Sequence, residues 1–158
     1  MARLSNGQRF PNLQVPAVGG GTLNLPDDLA GRFGVVLIYR GTWCPYCNAQ
    51  LAAFQRASDT LAALGVRVVA LSSDDEEASG QLVANRRLDF PVGHSADIAA
   101  VAEATGAYVN GEPHHLQSTG FVLAPDGTVL TAVYSSGAIG RLVPDDVAGL
   151  VRSIREHS

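Results

Sequence analysis

Cys44 and Cys47 are the only cysteines in the chain, and two residues separate them. On one helical turn that spacing brings both sulfurs close enough to close a disulfide. The chemistry it favours is attack by one thiolate and resolution of the resulting intermediate by the other thiol. The surroundings sort the two roles. Residues 35–39 (Val-Val-Leu-Ile-Tyr) are an apolar, β-branched run with the character of a strand buried on both faces. Arg40-Gly41-Thr42 breaks it, and a helical pattern then starts at the cysteines, with Leu51, Phe54, Ala57, Leu61 and Leu64 on one face. Cys44 therefore stands where a strand turns into a helix, facing backbone N–H groups that have no partner within the helix. A thiolate there accepts those bonds, and its pKa falls below the ~8.5 of a free cysteine. Pro45 suits the first helical turn, where a missing N–H costs nothing. Cys44 is thus the expected nucleophile and Cys47 the resolving thiol.

Other uses of the pair fit less well. A structural disulfide over so small a loop removes little unfolded-state entropy, and a chain of this size does not need one. Zinc wants four ligands, and only His114 and His115 would complete the set. An inert buried pair leaves the strand–CxxC–helix context unused. Around the pair, Arg40 is expected to stabilise a thiolate by its fixed charge, the alternative being a solvated strand end. Thr42 and Pro45 belong to the same thiolate-stabilising or substrate-facing set. Trp43 and Tyr46 are read as an apolar rim for docking a partner, or else as ordinary packing. Ser118 and Thr119, with Gly120, are the candidate facing loop, whose backbone would pair with a bound substrate chain. His114 and His115 are read as exposed polar residues, the alternative being that one faces the cysteine site as an acid or base. His94 and His157 carry no sign beyond surface placement.

The 158 residues are expected to form one domain over positions 1–158, large enough for a full core. A net charge of −4 argues against nucleic acid or anionic membranes as partners. All eleven basic residues are Arg, so lysine chemistry is excluded. The first ten residues contain no apolar targeting segment, and no stretch reaches membrane-spanning length, so a reducing cytoplasm is the expected location. No cofactor-binding motif is present, and none is expected to be needed: Gly19-Gly20-Gly21 lies in a hairpin and does not open a helix.

Along the chain, residues 10–25 predict an N-terminal β-hairpin, with strands near 13–15 and 22–25. Residues 27–31 predict a helical turn. Residues 66–71 predict a second buried strand, parallel to the first. Ser73 and Glu76 have the spacing of a capping box for the next helix. Residues 90–92 are briefly extended, and Ser95 is the expected cap of a short helix over 96–105 ending at Gly106. Residues 108–117 read as a polar loop. Pro125-Asp126-Gly127 between β-branched flanks predicts a hairpin. Pro144 opens a last helix with Val147, Leu150, Val151 and Ile154 as its apolar stripe.

This order, with CxxC after the first central strand, resembles an α/β thioredoxin-like fold: a central mixed β-sheet flanked by helices, with an N-terminal β-hairpin extension. The extra helix and the extension are similar to the peroxiredoxin-like branch, the alkyl hydroperoxide reductase/thiol-specific antioxidant (AhpC/TSA) family. The residues that carry the likeness are Tyr39-Arg40-Gly41-Thr42-Trp43-Cys44-Pro45-Tyr46-Cys47, Ala70-Leu71-Ser72-Ser73-Asp74, Phe90-Pro91-Val92 and the segment around Pro125-Asp126-Gly127. The resemblance implies a thiol-dependent oxidoreductase that cycles a Cys44–Cys47 dithiol and disulfide to reduce hydroperoxides or protein disulfides. It also implies a thioredoxin- or low-molecular-weight-thiol-type reductant and a homodimer. A non-catalytic, redox-sensitive binding module on the same fold is the alternative. Matched without gaps to the family's Pro-x-x-x-Thr-x-x-Cys, Arg40 takes the Pro position, Cys44 the Thr position and Cys47 the cysteine. The family's later arginine falls near Ser118, where this chain has none. In the thioredoxin comparison, Ile38 takes the place of a buried acid, and Ser118 or Thr119 that of a cis-proline.

Overall fold

The run predicted as a central strand forms β3 (Phe33–Ile38), and all six of its residues are buried. It pairs in parallel with β4 (Val66–Leu71) on one side and antiparallel with β8 (Thr119–Leu123) on the other. The computed structural model describes residues 3–157; Met1 and Ala2, which begin the stretch read as free of a targeting segment, and Ser158 lie outside them. The main sheet has five strands in the order β5-β4-β3-β8-β9, where β5 is Val92–Gly93 and β9 is Val129–Tyr134. This is the mixed sheet that the sequence predicts. The N-terminal hairpin is present as β1 (Leu13–Pro16) and β2 (Thr22–Leu25), antiparallel with Leu13 opposite Leu25. Asp27–Leu29 forms a single 3-10 turn.

The period-2 alternation of β3 divides its side chains between two cores. Val35, Leu37 and Tyr39 pack with Leu51 and Phe54 of α1 (Pro45–Arg56) and with Val147 and Val151 of α5 (Pro144–Glu156). Val36 and Ile38 pack on the other face with Phe10, Leu23 and Phe121, and with Val101 of α4 (Ile98–Thr105). β3 is thus held from both faces, and the residues that follow Ile38 leave a fixed platform. Among the described residues no helix is long and apolar enough to cross a membrane.

Several local expectations shift. The single helix expected after the cysteines is two, α1 and α2 (Ser58–Ala63), broken at Ala57, whose ψ is 4°. Ser58 and Asp59 hydrogen-bond readily to nearby backbone and favour helix starts over helix interiors. Leu61 stays buried, but Leu64 is only half-buried. Asp75, not Ser73, caps α3 (Glu76–Arg86), its carboxylate accepting from Ala78 N at 2.8 Å. Asp97, not Ser95, caps α4, accepting from Ala100 N at 3.0 Å. Ser95 sits instead at φ 55°, its hydroxyl 2.8 Å from His94 Nδ1. The segment read as a polar loop folds into a small hairpin, β6 (Val109–Gly111) and β7 (His114–Leu116). Consequently His115 is buried while His114 is exposed. His94 is also buried, against the surface placement expected of it.

Candidate active site

Cys44 is the N-cap of α1, extended at φ −91° and ψ 113°, and Pro45 occupies the first turn. The Cys44 sulfur accepts the backbone N–H of Cys47 at 3.2 Å, the bond expected of an N-cap side chain toward the third helical residue. Two cations complete its surroundings. Arg40 Nη1 lies 3.8 Å away and Arg141 Nη2 3.6 Å away. Cys47 Sγ accepts from Arg40 N at 3.4 Å and from Arg141 Nη2 at 3.3 Å. Both cysteines are 0% exposed and both are reduced.

The same neighbours act oppositely on the two thiols. Burial pushes the Cys44 thiol up, but hydrogen bonds from the Cys47 thiol and N–H, a bond from Arg40 and the charge of Arg141 outweigh it. Cys44 ends below the ordinary thiol range. Burial pushes the Cys47 thiol up too, and its bond to Cys44 adds to this, so it ends raised despite Arg40 N–H and Arg141. The pair titrates as a unit. The arrangement favours ionisation of Cys44 before Cys47, with the Cys47 thiol donating to the Cys44 sulfur.

The remaining predicted residues take different places. Arg40 does face the sulfur. Its guanidinium also lies 4.9 Å from the centre of the Trp43 ring. Trp43 is 51% exposed and meets His115 edge-on, with ring centres 4.9 Å apart. Tyr46 is 53% exposed, with Arg141 5.7 Å from its ring centre. The two aromatics are each about half exposed and lie against the two arginines that bond the sulfurs. Thr42 touches neither sulfur. Its N–H donates to Asp74 Oδ2 at 2.7 Å and its carbonyl accepts from Asn48 Nδ2 at 3.0 Å, which ties the loop before Cys44 to the end of β4 and to α1. Burial, followed by the positive charge of Arg40, holds the His115 imidazole below its usual range, so it stays neutral beneath Trp43. Ser118 and Thr119 are buried. Thr119 and Gly120 pair with Ile38 and Leu37 on one side and with Tyr134 and Val133 on the other. The Ser118 carbonyl accepts from Ser135 N. The facing loop expected there is a central strand.

Arg141 is the residue that sequence reasoning missed. It lies between β9 and α5, 97 positions from Cys44, in a stretch of Ser, Gly and Ala without periodicity. It brings a guanidinium to both sulfurs from a position other than the one near Ser118 where the family's arginine falls. Beside it runs an apolar groove of about 320 Å³ lined by Tyr46, Ala49, Ala53, Leu142, Val143 and Pro144. A larger recess of about 450 Å³ lies by Leu61, Val66 and Phe90, at the far end of β4, and touches neither cysteine. Size and chemistry part here, and the chemistry locates the site.

The tie between Thr42 and Asp74 has a measurable consequence. Asp74→Ala leaves the Thr42 N–H without its charged acceptor, a loss of about 1.5–3 kcal/mol. The melting temperature of the reduced protein is expected to drop by several degrees, with part of it recovered in Asp74→Asn. An unchanged melting temperature in Asp74→Ala shows that the tie holds nothing in place.

A family model described as the AhpC/TSA family matches residues 6–132 of the chain. A peroxiredoxin of Methanothermobacter thermautotrophicus is 25% identical over 155 residues, covering 94% of this chain and 72% of that protein. Among solved structures, peroxidoxin BcpB from Mycobacterium tuberculosis superposes with a TM-score of 0.83 at 21% identity, covering 97% of this chain and 99% of that one. AhpC of Mycobacterium bovis gives 0.84 at 21% identity, covering 100% and 96%. At these identities the structural likeness speaks for the fold.

Proposed function

The chain belongs to the AhpC/TSA family and is a thiol-dependent oxidoreductase of the peroxiredoxin kind, and from that premise we propose that it reduces hydroperoxides with Cys44 as nucleophile and Cys47 as resolving thiol. The observation that carries the assignment is the set of donors on the Cys44 sulfur: Cys47 N, Arg40 and Arg141. A small hydroperoxide suits this site better than a protein disulfide. Both sulfurs lie below the surface, and two guanidinium groups stand where negative charge develops on the leaving oxygen.

The steps balance without any further group. The Cys44 thiolate attacks the terminal oxygen of ROOH and the O–O bond breaks. The alkoxide takes the proton of the Cys47 thiol and leaves as ROH, with a sulfenic acid on Cys44 and a thiolate on Cys47. That thiolate attacks the Cys44 sulfur, closes the disulfide and expels hydroxide. Two electrons have passed from the dithiol to the peroxide. A dithiol reductant of the thioredoxin type, or a small thiol, returns them by exchange through a mixed disulfide. The raised pKa of Cys47 serves this order, because it keeps the proton until the alkoxide needs it.

Trp43, the only tryptophan, adjoins Cys44 and reports the reaction. Mixing reduced protein with hydrogen peroxide in a stopped-flow instrument is expected to change its fluorescence at a second-order rate several orders of magnitude above that of a free thiolate. A rate like that of an ordinary thiolate overturns the peroxide reading and leaves a protein disulfide as the oxidant.

A further inference from the structure

The recess at the far end of β4 takes no part in the cysteine chemistry, yet it has the make-up of a ligand site. Its volume of about 450 Å³ is within the range of small-molecule pockets. Phe54, Leu61, Val68 and Phe90 give it an apolar lining. Its floor carries polar backbone. Among the described residues β4 pairs with β5 only at Ala70 and Leu71, so the edge before Ala70 has no strand opposite it. Ala70 N–H donates across that edge to the Pro91 carbonyl, and the alternation of a strand turns the Val68 N–H the same way. No acceptor meets it among the described residues. Charge completes the set. Arg32 and Arg67 line the recess and are exposed, and neither side chain has a hydrogen bond or ion pair among the described residues. The acid beside them, Asp89, is engaged: its carboxylate accepts from Gln55 Nε2 at 2.9 Å, and its N–H donates to Gln55 Oε1 at 2.7 Å. Arg155, bonded to the Leu64 carbonyl at 2.7 Å, adds a further positive charge beside Gly65 at the rim. In a chain of net charge −4, this recess is locally cationic.

We propose that this recess binds a small amphipathic carboxylate, an acid of medium chain length whose apolar chain lies along Phe54 and Phe90 and whose carboxylate meets Arg32 and Arg67. Each part of that ligand has its counterpart. The volume accommodates a chain of about eight to ten carbons. Laying that chain against the two rings removes apolar surface from water on both sides. A guanidinium offers a carboxylate two parallel N–H donors, and two arginines without other partners stand ready to supply them. An alcohol of the same length leaves these cations unused, and an amine of the same length meets like charge. An extended peptide fits less well, because only the short edge before Ala70 is open and both Val66 and Val68 are buried. The site does not depend on which oxidant the cysteines take.

Titrating the reduced, isotope-labelled full chain with sodium octanoate, and following its backbone amides by NMR, tests this. Amides of residues 66–68 and 89–90 are expected to shift and saturate together, with a Kd of about 1 mM or tighter. Octanol and octylamine are expected to bind the same amides about tenfold or more weakly. The double variant Arg32→Gln/Arg67→Gln is expected to weaken octanoate about tenfold or more and to leave octanol unchanged. Ala62→Phe, which fills the recess from an exposed helix position, is expected to remove octanoate binding with the fold intact. The proposal is overturned by amides that do not saturate, by shifts confined to the groove beside Tyr46, by octanol that binds as tightly as octanoate, or by a double variant that binds like wild type. Shifts of the same amides with protein concentration alone overturn it too, and make the recess a contact between copies of the chain.

Discussion

Cys44→Ser is expected to abolish peroxide turnover, with a fall on the order of a thousandfold or more, because a hydroxyl at that position stays protonated at neutral pH. Cys47→Ser behaves differently. It consumes one equivalent of peroxide and stops, holding a sulfenic acid on Cys44 that a dimedone adduct identifies by mass. The two variants decide between opposed assignments. Ungapped matching to the family's motif sets Cys47 at the peroxide-reactive position. The structure sets the lowered pKa on Cys44 and the raised one on Cys47. Arg141 lies slightly nearer Cys47, but the Cys47 N–H and Arg40 Nη1 tip the balance toward Cys44. A dead Cys47→Ser together with a Cys44→Ser that still takes up one equivalent reverses the roles. Full activity of Cys44→Ser removes the pair from the chemistry altogether.

Arg141→Gln is expected to move the Cys44 pKa upward, because the Arg141 charge is one of the groups that hold it down. Alkylation of Cys44 in a Cys47→Ser background, followed against pH, reads this directly. Near pH 6 the variant is expected to react several-fold more slowly than its parent, and at strongly alkaline pH the two rates converge as both thiols ionise. Coincident profiles mean that Arg141 does not stabilise the thiolate. Stability follows the same linkage. The Cys44 pKa is depressed on folding, so its contribution is complete above the unfolded value of ~8.5 and is lost as pH falls through the folded value. Cys47 works the other way: its raised pKa lets its contribution persist below ~8.5 and be lost as pH rises toward the folded value. Removing Arg141 weakens the first trend, so reduced Arg141→Gln loses more melting temperature relative to wild type at pH 8 than at pH 5.

What local chemistry decides was legible. The buried strand before the cysteines, Pro45 in the first turn, Cys44 at the helix start and the Pro125-Asp126-Gly127 hairpin each follow from a few adjacent residues, and each is found. The helix caps went astray by two residues because Ser73 and Asp75, or Ser95 and Asp97, are equally competent caps. Tertiary contacts choose between them, and Ser95 is drawn away by His94. The misplaced parts of the site have a longer reach. Ser118 and Thr119 looked like a loop because no short pattern reveals that β8 runs between two strands. His115 looked exposed because its burial involves residues far away in sequence, among them Trp43, 72 positions earlier. Arg141 had no local mark of any kind, since its role exists only once the segment after β9 folds back over the start of α1.

That separation along the chain has a consequence during synthesis. Ribosomes release residues in order, and domains fold as units once enough chain has emerged. A nascent chain that ends before residue 119 lacks β8, which holds β3 from one side, and one that ends before residue 141 lacks a cation that bonds both sulfurs. Its two thiols are then closer to ordinary ones, mostly protonated at neutral pH and slow toward oxidants. Activation waits for closure of contacts that span more than ninety residues. The Cys47 N–H and Arg40 act on Cys44 from within the same short stretch, and the part of the site's acidity that Arg141 adds arrives only when the fold that shelters the pair is complete.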